Sequence, residues 1–228
     1  MERPLTPAPD IRMTTTAETF RHCLAQSERR DWPYAHWLLD RPLPLEACDA
    51  VVDLPFKPAV IEDTHGKRET HNALRCFFNA ENRARFPVCE SVASALQSPE
   101  TVALIERTCD VDLTGTYLRI EYCQDTDGFW LEPHTDIGVK KYTMLIYLSQ
   151  GPGSENWGTD VLDADHNLVA TAPCRYNSGL IFVPGDNTWH GFHKRPIDGV
   201  RRSLIVNFVT DEWRNRHELC YPDAPIAT

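Results

Sequence analysis

The sequence predicts a mainly β fold, an antiparallel sandwich or barrel preceded by a mostly helical half, on three observations. Near position 115 the hydrophobic period changes from about 3.6 residues to two. Seven β-rich runs follow, at 116–123, 131–137, 141–149, 168–172, 179–183, 188–193 and 200–210. They are separated by turn signals such as DADHN and PGDN rather than by helical patterns.

The elements before 115 can be taken in order. Residues 1–13, MERPLTPAPDIRM, are rich in proline and read as a loose arm. Thr15 with Glu18 has the form of a capping box, and Ala17, Phe20 and Leu24 fall at helical spacing, so a helix is expected over about 15–29. The stretch WPYAHWLLDRPLP is broken by prolines. Leu45, Cys48, Val51 and Val52 then trace one helical face that stops before Pro55. Short strands are expected near 58–63 and 73–78. Ser98-Pro99 pairs a cap with a first-turn proline, and Val102, Ile105 and Cys109 continue the face of that helix.

No Ser/Gly-rich linker divides the 228 residues, so the expectation is one domain over 1–228. Within it, 1–114 packs as a mostly helical part on a catalytic barrel at 115–210, and 211–228 forms a C-terminal tail. The net charge of −10 without a dense Lys/Arg run argues against nucleic acid as a partner. The N-terminal stretch lacks the apolar core of a secretory signal, and no apolar run is long enough for a bilayer, so a cytoplasmic protein without membrane partner is expected. Eight cysteines, at 23, 48, 76, 89, 109, 123, 174 and 220, include no C-x-x-C and read as reduced core thiols rather than a disulfide scaffold or zinc ribbon.

Within LEPHTDIGVKKYTMLIYLS, His134 and Asp136 would share one face of a strand, because side chains alternate with period two. The natural third partner is His190, which ends FVPGDNTWH 54 residues after Asp136. Two histidines and a carboxylate leave one face of an octahedral iron(II) open, whereas zinc sites more often close with cysteine. The plainer reading is a hydrogen-bonded His134–Asp136 pair and a core histidine at 190.

The run RRSLIVNFV adds weight to the metal. Arg201, Ser203, Ile205 and Asn207 share one face, opposite Arg202, Leu204, Val206 and Phe208, so a guanidinium and a hydroxyl project side by side as an anion clamp. Arginine presents the bidentate fork that suits a carboxylate. Tyr147 shares a face with Thr143 and Leu145, and its buried phenol needs a polar partner, either a carboxylate or backbone.

With these residues in place, the chain resembles the iron(II)- and 2-oxoglutarate-dependent oxygenases, especially their prolyl-hydroxylase-like branch. The resemblance rests on His134-Thr135-Asp136, the TMLIYLS that follows, FVPGDNTWH, and Arg201 with Ser203 eleven and thirteen residues after His190; it covers roughly 115–210. It implies a double-stranded β-helix (jelly-roll) core and an Fe2+ ion held by His134, Asp136 and His190. It also implies that Arg201 and Tyr147 bind the distal carboxylate of 2-oxoglutarate, with Ser203 assisting and Tyr122 at a position that often lines the cosubstrate pocket. O2 is then the oxidant, and ascorbate the reductant to supply beside it. The family's halogenases replace the carboxylate ligand with a small residue; Asp136 is present here, which favours hydroxylation.

The remaining candidates read more plainly. His193 falls on the strand face opposite His190, while His166 and His217 sit in polar turn and tail segments. Trp130, Trp157, Trp189 and Phe192 either line a substrate pocket or seal the barrel mouth. Arg119 and Glu121 read as a barrel-end ion pair or as substrate contacts, and Lys140 and Lys141 as solvated loop charges. The expected reaction is hydroxylation of a small polar metabolite (amino acid, sugar or natural-product intermediate) with release of succinate and CO2. The alternatives are a protein side-chain hydroxylase, a cupin-like non-redox metalloenzyme with no need of the Arg201/Ser203 clamp, and a non-catalytic module that senses 2-oxoglutarate.

Overall fold

The structure is a computed structural model that describes residues 15–58, 60–68 and 75–227, so the N-terminal arm lies outside the described residues. The first helix, α1 (Thr16–Ala25), starts at the expected capping box: the Thr15 hydroxyl accepts from the Glu18 N–H, and the Glu18 carboxylate accepts from the Thr15 N–H. It stops at Ala25 rather than near 29. After Leu24 the polar run Gln-Ser-Glu-Arg-Arg offers nothing to a buried face, and the chain turns into β1 (Glu28–Arg30). The proline-bounded stretch hides a strand, β2 (His36–Asp40), because the prolines fall outside the five residues that pair.

Helix α2 (Leu45–Val52) buries Cys48 and Val51 as expected. No strand forms among the described residues of 58–63, and β3 is only Cys76–Phe77, residues 73 and 74 lying outside the described set. Two helices the sequence reading did not single out, α3 (Ala80–Arg85) and α4 (Pro87–Gln97), precede α5 (Pro99–Cys109). Pro87 opens α4 as Pro99 opens α5, at the first turn where a missing N–H costs nothing.

Eight more strands follow: β4 (Tyr117–Asp125), β5 (Leu131–His134), β6 (Lys140–Tyr147), β7 (Asp160–Leu162), β8 (Leu168–Thr171), β9 (Ser178–Phe182), β10 (His190–Phe192) and β11 (Arg201–Val209). They form two antiparallel sheets, a large one in the order β1-β2-β9-β6-β11-β4-β3 and a small one in the order β5-β10-β7-β8. This is the jelly-roll core, with the N-terminal strands β1, β2 and β3 widening its large sheet.

The period-two pattern of the large sheet sorts its side chains onto two layers. Leu118, Ile120 and Tyr122 of β4 and Leu204, Val206 and Phe208 of β11 face the helices and join Phe20, Val51, Val92 and Ile105 in one apolar cluster. Leu145, Tyr147, Leu180 and Phe182 face the small sheet and pack on Val161 and Phe192 in a second cluster. Burying each such side chain contributes about 1.5–3 kcal/mol. The second layer is where the polar residues of interest emerge.

Candidate metal centre

The two histidines meet across strands. His134, the last residue of β5, is the cross-strand partner of His190, the first of β10, and their ring centroids lie 4.3 Å apart. Each ring is oriented by its own backbone neighbourhood: the His134 Nδ1 lies 2.8 Å from the Glu132 carbonyl oxygen and the His190 Nδ1 2.9 Å from that of Thr188. A carbonyl only accepts, so both Nδ1 atoms carry the proton and both Nε2 atoms keep a free lone pair. Burial of His190 lowers its pKa to about 4, against the opposing pull of Asp136, so it is neutral as a ligand must be.

Asp136 arrives by a different route from the expected one. The strand ends at His134, two residues short of the carboxylate, so Asp136 shares no strand face with it and is instead carried inward by the loop to β6. Pro133 withholds a ladder donor and Gly138 loosens the return, which is why pairing is not sustained to 137. The carboxylate is held by the Thr143 hydroxyl at 2.6 Å and the Lys140 ammonium at 2.5 Å. Lys140 is thus not a solvated loop charge. Burial alone would raise the carboxyl of Asp136; the Lys140 ammonium outweighs it and lowers the pKa to about 2. One ligand atom from each of His134, Asp136 and His190 lies within 4.8 Å of the others. Imidazoles turned to present Nε2, and an ionised carboxylate, fit an iron(II) ion.

The clamp residues lie on the same layer. Arg201, 2% exposed, donates from Nε to the Trp157 carbonyl at 2.7 Å and from Nη1 to Asp125 at 2.6 Å, and it stacks on Phe192 at 4.6 Å. Ser203 is fully buried and its hydroxyl has no partner among the described residues. An orphaned buried hydroxyl two residues from a buried guanidinium fits an acidic ligand group. Tyr147 sits opposite Ser203 on β6 and bonds to Thr159, its hydroxyl 2.9 Å from the Thr159 Oγ1; burial pushes the phenol up to about 12, so it stays a neutral donor.

Tyr122 must be corrected. It lies between Glu121 and Cys123 on β4 and so points to the helical layer with Leu118 and Ile120, away from the metal residues. Asp125, by contrast, was missed, because the sequence reading ended this strand at 123. The alternation Arg119, Glu121, Cys123, Asp125 was the signal that could have found it.

A cavity of about 370 Å³ joins these parts. His134, Asp136, His190, Arg201 and Thr159 line it together with Arg119 and Glu121. Tyr147 and Ser203 are not among the residues that line it. His193 is over half exposed and bonds to Asp160, as its strand face implied, and His166 stacks on Trp189 outside the cavity. Trp157 is a buried wall whose carbonyl holds Arg201, while Trp130 bonds to Asp63. A Cβ at Gly158, next to Trp157, would fall 1.8 Å from the Ala172 carbonyl oxygen, so only glycine lets this segment lie so close to β8.

Arg119 and Glu121 form the expected ion pair at 2.8 Å, and Arg75 reaches the same carboxylate. Burial would raise the Glu121 carboxyl, but the two guanidiniums hold it well below the usual carboxylate range. A lowered folded-state pKa contributes stability above the unfolded value, about 4.3, and that stability is lost as pH falls through it toward the folded value. Glu121→Gln should therefore destabilise the protein by about 3–5 kcal/mol at neutral pH and flatten the acid limb of a melting-temperature profile below about pH 5. An unchanged acid limb would show that Glu121 is not what the acid titrates.

No protein-family model matches the chain, and no curated protein does. Solved structures do. A prolyl-4-hydroxylase from Pseudomonas putida superposes with a TM-score of 0.57 at 14% identity, over 86% of this chain and 99% of that one. A 2OG-Fe(II) oxygenase family oxidoreductase from Burkholderia pseudomallei gives 0.53 at 14% identity, over 83% and 89%. A Trichoplax adhaerens prolyl hydroxylase, in complex with a hypoxia inducible factor oxygen degradation domain peptide fragment, gives 0.55 at 13% identity, over 85% and 88%. The chain shares the fold of these structures, and prolyl hydroxylases are prominent among them. Among the described residues no helix is long and apolar enough to cross a membrane.

Proposed function

We propose that the protein is an iron(II)- and 2-oxoglutarate-dependent dioxygenase that hydroxylates a small polar metabolite. The observation that carries this reading is the meeting, in one cavity, of His134, Asp136 and His190 with the buried guanidinium of Arg201. When bound, iron(II) and 2-oxoglutarate supply the oxidation, O2 being consumed while the cosubstrate leaves as succinate and CO2 and the substrate gains a hydroxyl.

The chain's own residues bind, orient and shield. The two Nε2 atoms and an Asp136 oxygen would hold the metal, the carbonyls of Glu132 and Thr188 fix the imidazoles, and Thr143 fixes the carboxylate. Arg201 and Ser203 would take the distal carboxylate of 2-oxoglutarate, with Tyr147 acting through Thr159. Asp125 and the Trp157 carbonyl keep the Arg201 fork from swinging. Leu145, Ile205 and Phe192 line the cavity between these groups and exclude water. Asp136 would fill the position that a halide would otherwise take, which supports hydroxylation.

A cupin-like isomerase or lyase would have no use for a buried Arg201 beside an orphaned Ser203 hydroxyl. A protein side chain as substrate is the second reading, favoured by the peptide-bound Trichoplax structure. The cavity, small and charged at its walls, supports the metabolite. The test is succinate release and O2 uptake by the purified protein with iron(II), ascorbate and 2-oxoglutarate, across a metabolite library and a set of proline-containing peptides. Stimulation by metabolites alone is expected. Stimulation by peptides alone would replace the first reading with the second, and no iron-dependent succinate under any condition would remove both.

A further inference from the structure

Asn207 is fully buried near the end of β11, between the apolar Val206 and Phe208, and it is not among the residues that line the cavity. Burying a carboxamide costs free energy unless its polar atoms are paired, and a valine would suit the strand better. The strand register shows what it is paired with. Thr143 of β6, Asn207 of β11 and Arg119 of β4 stand side by side across the large sheet. Thr143 and Arg119 line the cavity, and Asn207 shares its strand face with Arg201 and Ile205, which line it too.

Hydrogen bonds join the three into one line that ends on the metal carboxylate. Arg119 donates from Nη1 to the Asn207 Oδ1 at 3.1 Å, Asn207 donates from Nδ2 to the Thr143 Oγ1 at 2.9 Å, and Thr143 donates to the Asp136 Oδ2 at 2.6 Å. The direction of each bond follows from its chemistry. A guanidinium only donates, so the amide oxygen of Asn207 faces Arg119 and its amide nitrogen faces Thr143. That nitrogen also only donates, so the Thr143 oxygen accepts from it and the one hydroxyl proton is left for Asp136. The far end is fixed as well. Arg119 bonds from Nε to Glu218 at 2.6 Å and from Nη2 to Glu121 at 2.8 Å, so its fork cannot turn away from Asn207. A single bridge between Arg119 and Leu219 ties the C-terminal segment to β4 at the same point.

We infer that Asn207, anchored by Arg119, is a positioning residue for the metal centre: it sets the direction of the Thr143 hydroxyl and through it holds the Asp136 carboxylate in place for the metal. The inference rests on the metal centre of the oxygenase reading and adds to it a group outside the cavity. Each bond in such a line polarises the next, so the Thr143 hydroxyl is a stronger donor than one acting alone. The positive charge of Arg119 is matched by Glu121 and Glu218, so the line carries orientation and bond polarity rather than net charge. If Asn207 served only to keep Arg119 in place, its loss would weaken the fold without regard to the hydroxyl at position 143.

The test is a double-substitution cycle of Asn207→Leu with Thr143→Val in the full chain. It is read as iron(II) affinity without oxygen or 2-oxoglutarate, by competition with a chromogenic chelator, beside the melting temperature of the metal-free protein. Thr143→Val should weaken iron(II) by about tenfold or more, as loss of a ligand's hydrogen-bond partner does. Asn207→Leu should weaken it by about threefold alone and leave it unchanged in the Thr143→Val background, while lowering the melting temperature in both. Thr143→Ser, which keeps the hydroxyl, should restore the dependence on Asn207. If Asn207→Leu does not fold, Asn207→Asp takes its place: it keeps an acceptor for Arg119 but cannot donate to Thr143, and its added charge acts in both backgrounds and cancels from the comparison. An equal loss of affinity in both backgrounds, or a loss in neither, overturns the inference and leaves Asn207 a structural partner of Arg119. A wild type that binds no iron(II) overturns the metal centre and the inference with it. A wild type that binds iron(II) and follows the cycle, but forms no absorption band with 2-oxoglutarate, overturns the oxygenase reading and upholds the positioning role.

Discussion

His190→Ala is expected to empty the metal site. Three protein atoms are all the site offers, and the two Nε2 lone pairs exist because the Glu132 and Thr188 carbonyls occupy both Nδ1 protons. Loss of an outer-shell partner alone costs about 10–100-fold in metal affinity, so removal of a ligand should exceed about 100-fold. Iron per chain, and the absorption band formed with 2-oxoglutarate under anaerobic conditions, should both fall to background. His193→Ala is the matched control, three residues along the chain, with its ring on Asp160 rather than toward His134. Retention of the band in His190→Ala with loss in His193→Ala would mean that the site is built around the other histidine.

The sequence made some of this legible and not the rest, for physical reasons. His134, His190 and Arg201 were readable because each sits on or beside a strand whose alternation fixes its direction. Asp136 was found at the right place for the wrong reason: a strand face was assumed, whereas a loop and two side chains, Thr143 and Lys140, bring it in. Tyr122 failed by the rule that succeeded for Arg201, since alternation along β4 sends it to the helices. Arg75 and Glu218 were invisible because their roles depend on pairings across 46 and 99 residues, which no local pattern encodes. Strands β2 and β7 escaped as well, one masked by flanking prolines and one only three residues long. Their partners in the sheets, not their own composition, make them strands.

The second large effect concerns the clamp. Arg201→Ala should weaken 2-oxoglutarate binding by at least tenfold, because charge-assisted hydrogen bonds are worth about 1.5–3 kcal/mol each and about 1.4 kcal/mol is a factor of ten. The substitution also strands Asp125 beside Arg68 alone, so Arg201→Lys is the cleaner variant: it keeps the charge but loses the fork, and should still bind several-fold more weakly. Ser203→Ala separates binding from folding. Removing a buried hydroxyl that has no partner among the described residues relieves a cost of about 1–3 kcal/mol in the free protein, while removing one bond to the cosubstrate. Its melting temperature should therefore rise without 2-oxoglutarate even as its affinity for 2-oxoglutarate falls. Arg202→Ala, on the opposite face of β11, should leave affinity within about twofold, a change under about 0.5 kcal/mol. Anaerobic titration of the four variants with 2-oxoglutarate and iron(II) gives the comparison. If Arg202→Ala is the damaging change, the cosubstrate does not lie between the sheets; if none of the four matters, the Arg201 side of the cavity does not bind it, and the non-redox reading takes precedence.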